Sequence, residues 1–182
     1  SSLERKGEKC KVILEDWDDC RSADVTSLMM RKRFSTSPLV EIYGRDPRIH
    51  LLRGFREAIG AKYQMVHGGI LEAEHVKGCA GMILKPDIWK EYSHTLPELL
   101  KYDLSSMEPT FDKIKCNLTK AQDYPDCSEG REALASALGN LYDVYAATEA
   151  LRPGDATHVI IVCGDGHVAT IESLLSTLLP SA

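Results

Sequence analysis

The sequence predicts an α/β fold, namely a small, mostly parallel sheet covered by helices on both faces, with more helix than strand. Short apolar runs alternate along the chain with segments whose apolar residues recur at helical spacing. The runs are continuously apolar, which is typical of strands buried on both faces of a parallel sheet. The 182 residues, 43% of them hydrophobic, contain no repeat or interdomain linker, so residues 1–182 are expected to form a single domain.

The first half of the chain contains two strand-helix units. An apolar run at residues 11–15 predicts the first strand, and Ser22 is a suitable cap for a helix whose last turn carries the basic cluster 31–33. A second apolar run predicts a strand at residues 39–43. The helix expected after it, at residues 46–60, opens with Asp-Pro and ends at a glycine.

The second half is predicted to be mainly helical. Residues 61–85 give no clear order of elements, apart from a candidate strand at 80–84. The elements expected after it are helices at 86–102 and 107–118, a long helix capped by Ser128 and ended by Pro153-Gly154, a strand at 157–163 and a helix at 168–179.

Charge and composition exclude several classes of protein. The net charge of −5 is spread without long blocks of one sign, so neither a nucleic-acid partner nor a membrane partner is expected. No run of about 20 apolar residues is present. The six cysteines include no CxxC pair, which favours a reducing compartment and a cytoplasmic location.

Polar residues follow three of the predicted strands. They are the stretches EDWDD at residues 15–19, YGRD at 43–46 and GDGH at 164–167. Ligands of parallel α/β sheets collect at the carboxyl ends of the strands. The three stretches are therefore expected to contribute to one shared site.

The first of these stretches is acidic. Crowded carboxylates such as Glu15, Asp16 and Asp18 can hold a divalent cation, or can raise the pKa of one member for acid-base chemistry. The alternative is a solvated acidic loop that keeps like charges in water. A divalent cation is accordingly the candidate cofactor.

The other two stretches offer anion-binding groups. Backbone amides at the helix start after Gly164 can bind an anion, and His167 is suited to act as a base or metal ligand near neutral pH. In the alternative interpretation, Gly164 and Gly166 only make a tight turn and Asp165 caps the helix. Arg48 offers forked donors for a phosphate or carboxylate.

Three pieces of the sequence resemble an α/β family that includes uncharacterised proteins of large DNA viruses and is distantly similar to erythromycin-esterase and ChaN-type proteins. The pieces are Leu14-Glu15, Asp46-Pro47-Arg48 and the stretch 163–167. The resemblance implies a polar cleft that Glu15, Arg48 and His167 face. Enzymes of the wider group also place a Glu and His pair after an earlier strand. Because no such pair precedes Lys11, the resemblance implies a degenerate or structural viral protein.

A second resemblance is to phosphohydrolases of the haloacid-dehalogenase type. Asp16-Trp17-Asp18 is similar to their Asp-x-Asp motif after the first strand, and the stretch 164–166 to their late Gly-Asp-Gly. This resemblance implies that Asp16 is the nucleophile and Asp18 the general acid, with Asp16 and Asp165 holding magnesium.

Together these observations predict a cytoplasmic or virion-associated α/β protein whose cleft binds a small anionic ligand or a protein partner. Loss of catalysis and a role in virion assembly are part of this hypothesis, and a magnesium-dependent phosphohydrolase is the alternative. The candidate catalytic residues are Glu15, Asp16, Asp18 and His167, the candidate ligand-binding residues are Arg48, Gly164, Asp165 and Gly166, and the candidate metal ligands are Asp16 and Asp165.

Overall fold

A three-stranded parallel sheet lies at the centre of the fold. The computed structural model describes residues 7–15, 25–43, 48, 72–88, 90, 107–152 and 154–179. The strands are β1 (Cys10–Leu14), β2 (Val40–Tyr43) and β3 (His158–Val162), in the order β2-β1-β3. β1 pairs in parallel with both neighbours, Cys10 being opposite Val40 on one side and His158 on the other. The predicted fold class is confirmed.

β1 is the central strand and all five of its residues are buried. Side chains alternate between the two faces of a strand, and the two faces of β1 have different neighbours. On one face, Cys10, Val12 and Leu14 pack in a small cluster that includes Met30. Ile13, which points the other way, belongs to the large helical core. The sheet therefore has helices on both faces at β1.

β3 lies at an edge of the sheet and is buried less than its apolar sequence suggests. Residues 158–160 are exposed, with Val159 at 41% and Ile160 at 42%. Cys163, which the sequence places inside the buried strand, follows the end of β3 and is half-buried. An edge strand has a neighbouring strand on one side only, which explains this exposure.

Five long helices accompany the sheet in the described part of the chain. They are α1 (Val25–Phe34), α2 (Ala73–Ile83), α3 (Glu108–Asp123), α4 (Ser128–Leu151) and α5 (Asp165–Leu178). α4 packs against α3, α5, β1 and β3, which explains why nine of its last twelve residues are buried. A helix enclosed in this way needs small or apolar residues on nearly every side, and the sequence of α4 is rich in alanine and leucine.

The predicted strand at 80–84 is wrong, because these residues complete or directly follow α2. The buried side chains of α2 are Val76, Cys79, Ala80 and Ile83, which recur at helical spacing across the predicted boundary. Gly81 faces α3, where an added Cβ would lie 3.1 Å from Gln122 Nε2. Gly81 therefore lies where α2 and α3 approach each other closely.

Several predicted boundaries also need correction. Ser128 is the first residue of α4 and Cys127 occupies the cap position, while the helix ends at Leu151, before the predicted Pro153. α3 continues to Asp123, and α5 begins at Asp165, three residues earlier than expected. In the helix predicted at 46–60, only Arg48 is described, and it is helical. Of the helix predicted at 86–102, residues 86–88 and 90 are described and helical.

Within these described ranges, none of the helices has both the length and the apolar character needed to cross a membrane.

Truncation of a core leucine should measure the packing of α3 against the large core. Leu118 on α3 is fully buried, so Leu118→Ala should lower the free energy of unfolding by about 2–5 kcal/mol because it leaves a cavity. Leu179→Ala removes the same atoms from a side chain that is 48% exposed and should lower it by less than about 1 kcal/mol. Urea denaturation checks both values, and equal losses would contradict the assigned core.

Candidate functional site

Four charged side chains from four parts of the chain converge near the carboxyl end of β1. Glu15 directly follows β1, Arg48 follows β2, Asp143 lies in α4, and His167 lies in the first turn of α5. Three of them, Glu15, Arg48 and His167, are the residues that the sequence predicts to share a cleft. The structure brings all three together, and the fourth, Asp143, was not predicted.

Glu15 accepts hydrogen bonds from two directions. Its backbone N–H donates to the Val162 carbonyl at 2.9 Å and so continues the pairing of β1 with β3. In its side chain, Oε1 accepts from Arg48 Nη2 at 2.8 Å and Oε2 accepts from the Gly164 N–H at 3.0 Å. The carboxylate is thereby fixed at both oxygens.

His167 lies between two carboxylates. Its Nδ1 is 2.6 Å from Asp143 Oδ1, and its Nε2 is 3.3 Å from Glu15 Oε1. The first contact is short for a hydrogen bond to nitrogen and the second is longer than the usual range. The imidazole is therefore held firmly at Nδ1 and loosely at Nε2.

Tyr142 supports both cations of the cluster. Its ring is fully buried, and the Arg48 guanidinium carbon lies 4.9 Å from the ring centroid. The His167 ring meets the same ring edge to face, at 5.0 Å between centroids and 72° between planes. The face of an aromatic ring attracts a cation, so Tyr142 helps to keep the Arg48 charge beneath the site.

The neighbouring charges shift the pKa values of His167 and Glu15 in opposite directions. Hydrogen bonds to Asp143 and to Glu15 raise the pKa of His167 from 6.5 to about 9, in spite of partial burial. Burial alone would raise the pKa of Glu15, but hydrogen bonds from His167, Gly164 and Arg48 hold that pKa well below 4.5. At neutral pH the site therefore contains an imidazolium beside an ionised Glu15.

Solvent reaches one end of this cluster. The side chains of Arg48 and Asp143 are 7% and 5% exposed, whereas those of Glu15 and His167 are 17% and 18% exposed. The long contact between His167 Nε2 and Glu15 is therefore the one made by the two less buried side chains. A ligand at the carboxyl edge of the sheet would meet these two groups first.

The arrangement of the charged cluster does not resemble a metal site. A metal ion needs ligand atoms that point to a common position, but here the imidazole lies between Glu15 and Asp143. Among the described residues, no group of three His, Cys, Asp or Glu side chains has an arrangement that could hold a metal ion. Asp165 is exposed in the first turn of α5, while Asp16 and Asp18 lie outside the described residues. A cation between Asp16 and Asp165 stays a prediction.

The role of the Gly-Asp-Gly stretch differs from the predicted tight turn. Gly164 has φ −66° and ψ 152°, a conformation open to any residue, and among the described glycines a left-handed backbone occurs at Gly7. Asp165 is the first helical residue, and the described α5 terminus has no side-chain cap bond. The predicted capping role of Asp165 is therefore wrong, while a connection of only two residues, 163–164, joins β3 to α5. The Gly164 N–H binds an anion, as predicted for this helix start, but that anion is the Glu15 carboxylate.

Sequence reasoning missed Asp143 and Tyr142. The sequence predicts their helix from the apolar stripe of Leu134, Leu138, Leu141 and Tyr145, a pattern that does not include Tyr142 or Asp143. One observation does distinguish Asp143 as a candidate site residue. It stands among buried residues in a helix whose last two turns contain few charges. A buried carboxylate needs a partner, and in this case the partner is His167.

Comparison of the chain with protein-family models, with curated proteins and with solved structures found no match. The two resemblances inferred from sequence motifs therefore stay predictions, and the site has to be interpreted from its own geometry.

The raised pKa of His167 predicts a pH dependence of stability. Folding raises this pKa from 6.5 to about 9, so the stabilisation from protonated His167 is complete below pH 6.5 and is lost as pH rises through about 9. The free energy of unfolding, measured by urea denaturation, should therefore decline over this interval. In His167→Gln this component of the decline should be absent. Parallel curves for the two proteins would contradict the assignment.

Proposed function

We propose that this chain is a hydrolase-like α/β domain that binds a small polar ester at the carboxyl edge of its sheet, with His167 as general acid. The observation that carries the proposal is the His167 imidazole, held at Nδ1 by Asp143 at 2.6 Å and more loosely at Nε2 by Glu15 at 3.3 Å. A carboxylate that orients one ring nitrogen and leaves the other for substrate is a recurring arrangement in acid-base catalysis.

Two properties of His167 support its role as a proton donor. Its pKa of about 9 keeps the imidazolium populated at neutral pH. The 3.3 Å separation between Nε2 and Glu15 is loose enough for a ligand oxygen to take the place of Glu15 as acceptor. In hydrolysis, water would form the new bond to the ester centre, and the leaving oxygen would take the Nε2 proton. The proton released by the attacking water then restores the imidazolium.

Glu15 suits an electrostatic role better than that of a base. A carboxylate whose pKa is held low is a weak proton acceptor, but its negative charge stabilises the neighbouring imidazolium. Its two hydrogen bonds, from Arg48 and from the Gly164 N–H, fix that charge in place. Glu15 would thus orient the polar end of the ligand and keep His167 protonated between turnovers.

The charges favour a ligand that brings an acceptor oxygen and little net charge. The cluster contains two cations, Arg48 and His167, and two carboxylates, Glu15 and Asp143, so its own charges balance. A strongly anionic ligand would have to compete with Glu15 for the same donors. A carboxylic ester, or a phosphate ester with one accessible oxygen, fits the accessible end of the cluster.

Hydrolysis assays with esters of both classes test this proposal. His167→Gln should lower kcat/KM at least about 100-fold, because general acid catalysis contributes factors of this size. The wild-type rate should fall as pH rises through about 9, where His167 loses its proton. His158→Gln is the matched control, since His158 is 46% exposed at the opposite end of β3, and it should retain the wild-type rate.

Other outcomes of the same assays separate the competing hypotheses. A magnesium-dependent phosphatase activity that is lost in Asp16→Asn and retained in His167→Gln would replace this proposal with the haloacid-dehalogenase-type mechanism. Folded wild-type protein without activity on any ester, with or without magnesium, manganese or zinc, would contradict catalysis and favour a binding or assembly role.

A further inference from the structure

A second buried ion pair joins β1 to α4, away from the candidate site. Lys11 on β1 and Glu149 near the end of α4 are each about 5% exposed, and Lys11 Nζ is 2.7 Å from Glu149 Oε1. Lys11 Nζ also donates to the Glu149 carbonyl oxygen at 2.6 Å. Arg152 Nε approaches the other oxygen of the same carboxylate at 2.8 Å, so the Glu149 carboxylate is fixed from two sides.

This pair and the candidate site lie on the same face of β1. Side chains two residues apart share a face, so Lys11, Ile13 and Glu15 all point towards α4, with the two charges about 13 Å apart along the strand. On α4, Asp143 belongs to the site and Glu149 to the pair, about 9 Å apart along the axis. β1 and α4 are thus joined directly through Lys11 and Glu149 on one side of Ile13, and through His167 of α5, between Glu15 and Asp143, on the other side.

The contacts of Lys11 fix its position along the helix. The Glu149 carbonyl lies in the last turn of α4, where it also accepts from the Arg152 N–H at 3.3 Å, and a cation there is favoured by the helix dipole. Lys11 Nζ also lies 4.5 Å from the centroid of the Tyr43 ring on β2. A slip of α4 by one residue would move its side chains by about 1.5 Å and turn them by about 100°. Such a slip would remove Glu149 from Lys11 and Asp143 from His167 together.

We propose that the buried Lys11–Glu149 ion pair is a positioning element for the candidate site, because it fixes the register of α4 along β1 and thereby holds Asp143 against His167. Lys11 and Glu149 touch no substrate in this arrangement. Their effect reaches the site through the backbone of α4. The inference rests on the proposed function only through the geometry of His167, and it does not require that the chain be catalytic.

The test is an NMR titration of His167 in the double variant Lys11→Met, Glu149→Met. Removing both charges avoids leaving one of them buried without its partner, which is the main hazard of single substitutions at such a pair. The titration midpoint of His167 should fall from about 9 towards 6.5, because Asp143 is no longer held against the ring. Asp143→Asn, which removes the carboxylate itself, provides the reference for a complete loss of this contact.

A matched control is available in the exposed pair between Lys9 and Asp155, whose side chains are 44% and 64% exposed. Lys9→Met, Asp155→Met removes the same types of charge beside the same strand and should leave the His167 midpoint unchanged. An unchanged midpoint in the Lys11, Glu149 double variant would overturn the proposal. If the pair only stabilised the fold, its removal would lower the free energy of unfolding without altering His167 in the folded state. Equal shifts in the two double variants would also overturn it.

If the double variant does not fold, Lys11→Met takes its place, because the Glu149 carboxylate then keeps its contact with Arg152 Nε at 2.8 Å. This variant removes both contacts of Lys11 with Glu149 and should give a fall in the same direction, and an unchanged midpoint would overturn the proposal. A shifted midpoint in a protein without ester hydrolysis would support the positioning role while contradicting the proposed function. The two failures are thus distinguishable.

Discussion

β1 is enclosed on both faces, yet it carries a lysine within its length and a glutamate at its carboxyl end. Charges in such a position are destabilising unless they are paired and hydrogen-bonded. Lys11 contacts Glu149 of α4 directly, whereas Glu15 contacts Arg48, the Gly164 N–H and His167. The order of residues along α4 must therefore supply a carboxylate for Lys11 at one end and, through His167, a partner for Glu15 at the other. The relative placement of β1, α4 and α5 follows from meeting both requirements.

The cluster of Glu15, Arg48, Asp143 and His167 has two positive and two negative side chains, but its contacts differ in length. Arg48 and Asp143 are the buried members, and each makes a short contact, with Glu15 and His167 respectively. The long contact is the one near solvent, between His167 and Glu15. A cluster that served stability alone would gain by closing this last contact as well. In the proposed function, this long contact is the one that a ligand would enter.

The sequence predicted the sheet and most of the site because both depend on local patterns. Apolar runs indicate all three strands, and the rule that parallel strands present their carboxyl ends to one site predicts that Glu15, Arg48 and His167 lie together. The role of Asp143 was not predicted, because it depends on how α4 is rotated about its axis relative to the sheet. The helical period alone does not determine that rotation. The helix over residues 73–83 was missed because two internal glycines look like breaks until α3 packs against one of them.

The hydrogen bond between the Gly164 N–H and Glu15 does not depend on which non-proline residue occupies position 164. The donor is a backbone group in a conformation that any residue can adopt, and a Cβ at this position would lie 3.7 Å from Glu15 Oε2, an ordinary contact distance. Side-chain replacement at position 164 therefore leaves the donor in place. Sequence drift at this position could be wide while the interaction persisted, so variability among relatives would conceal a contact on which the site relies.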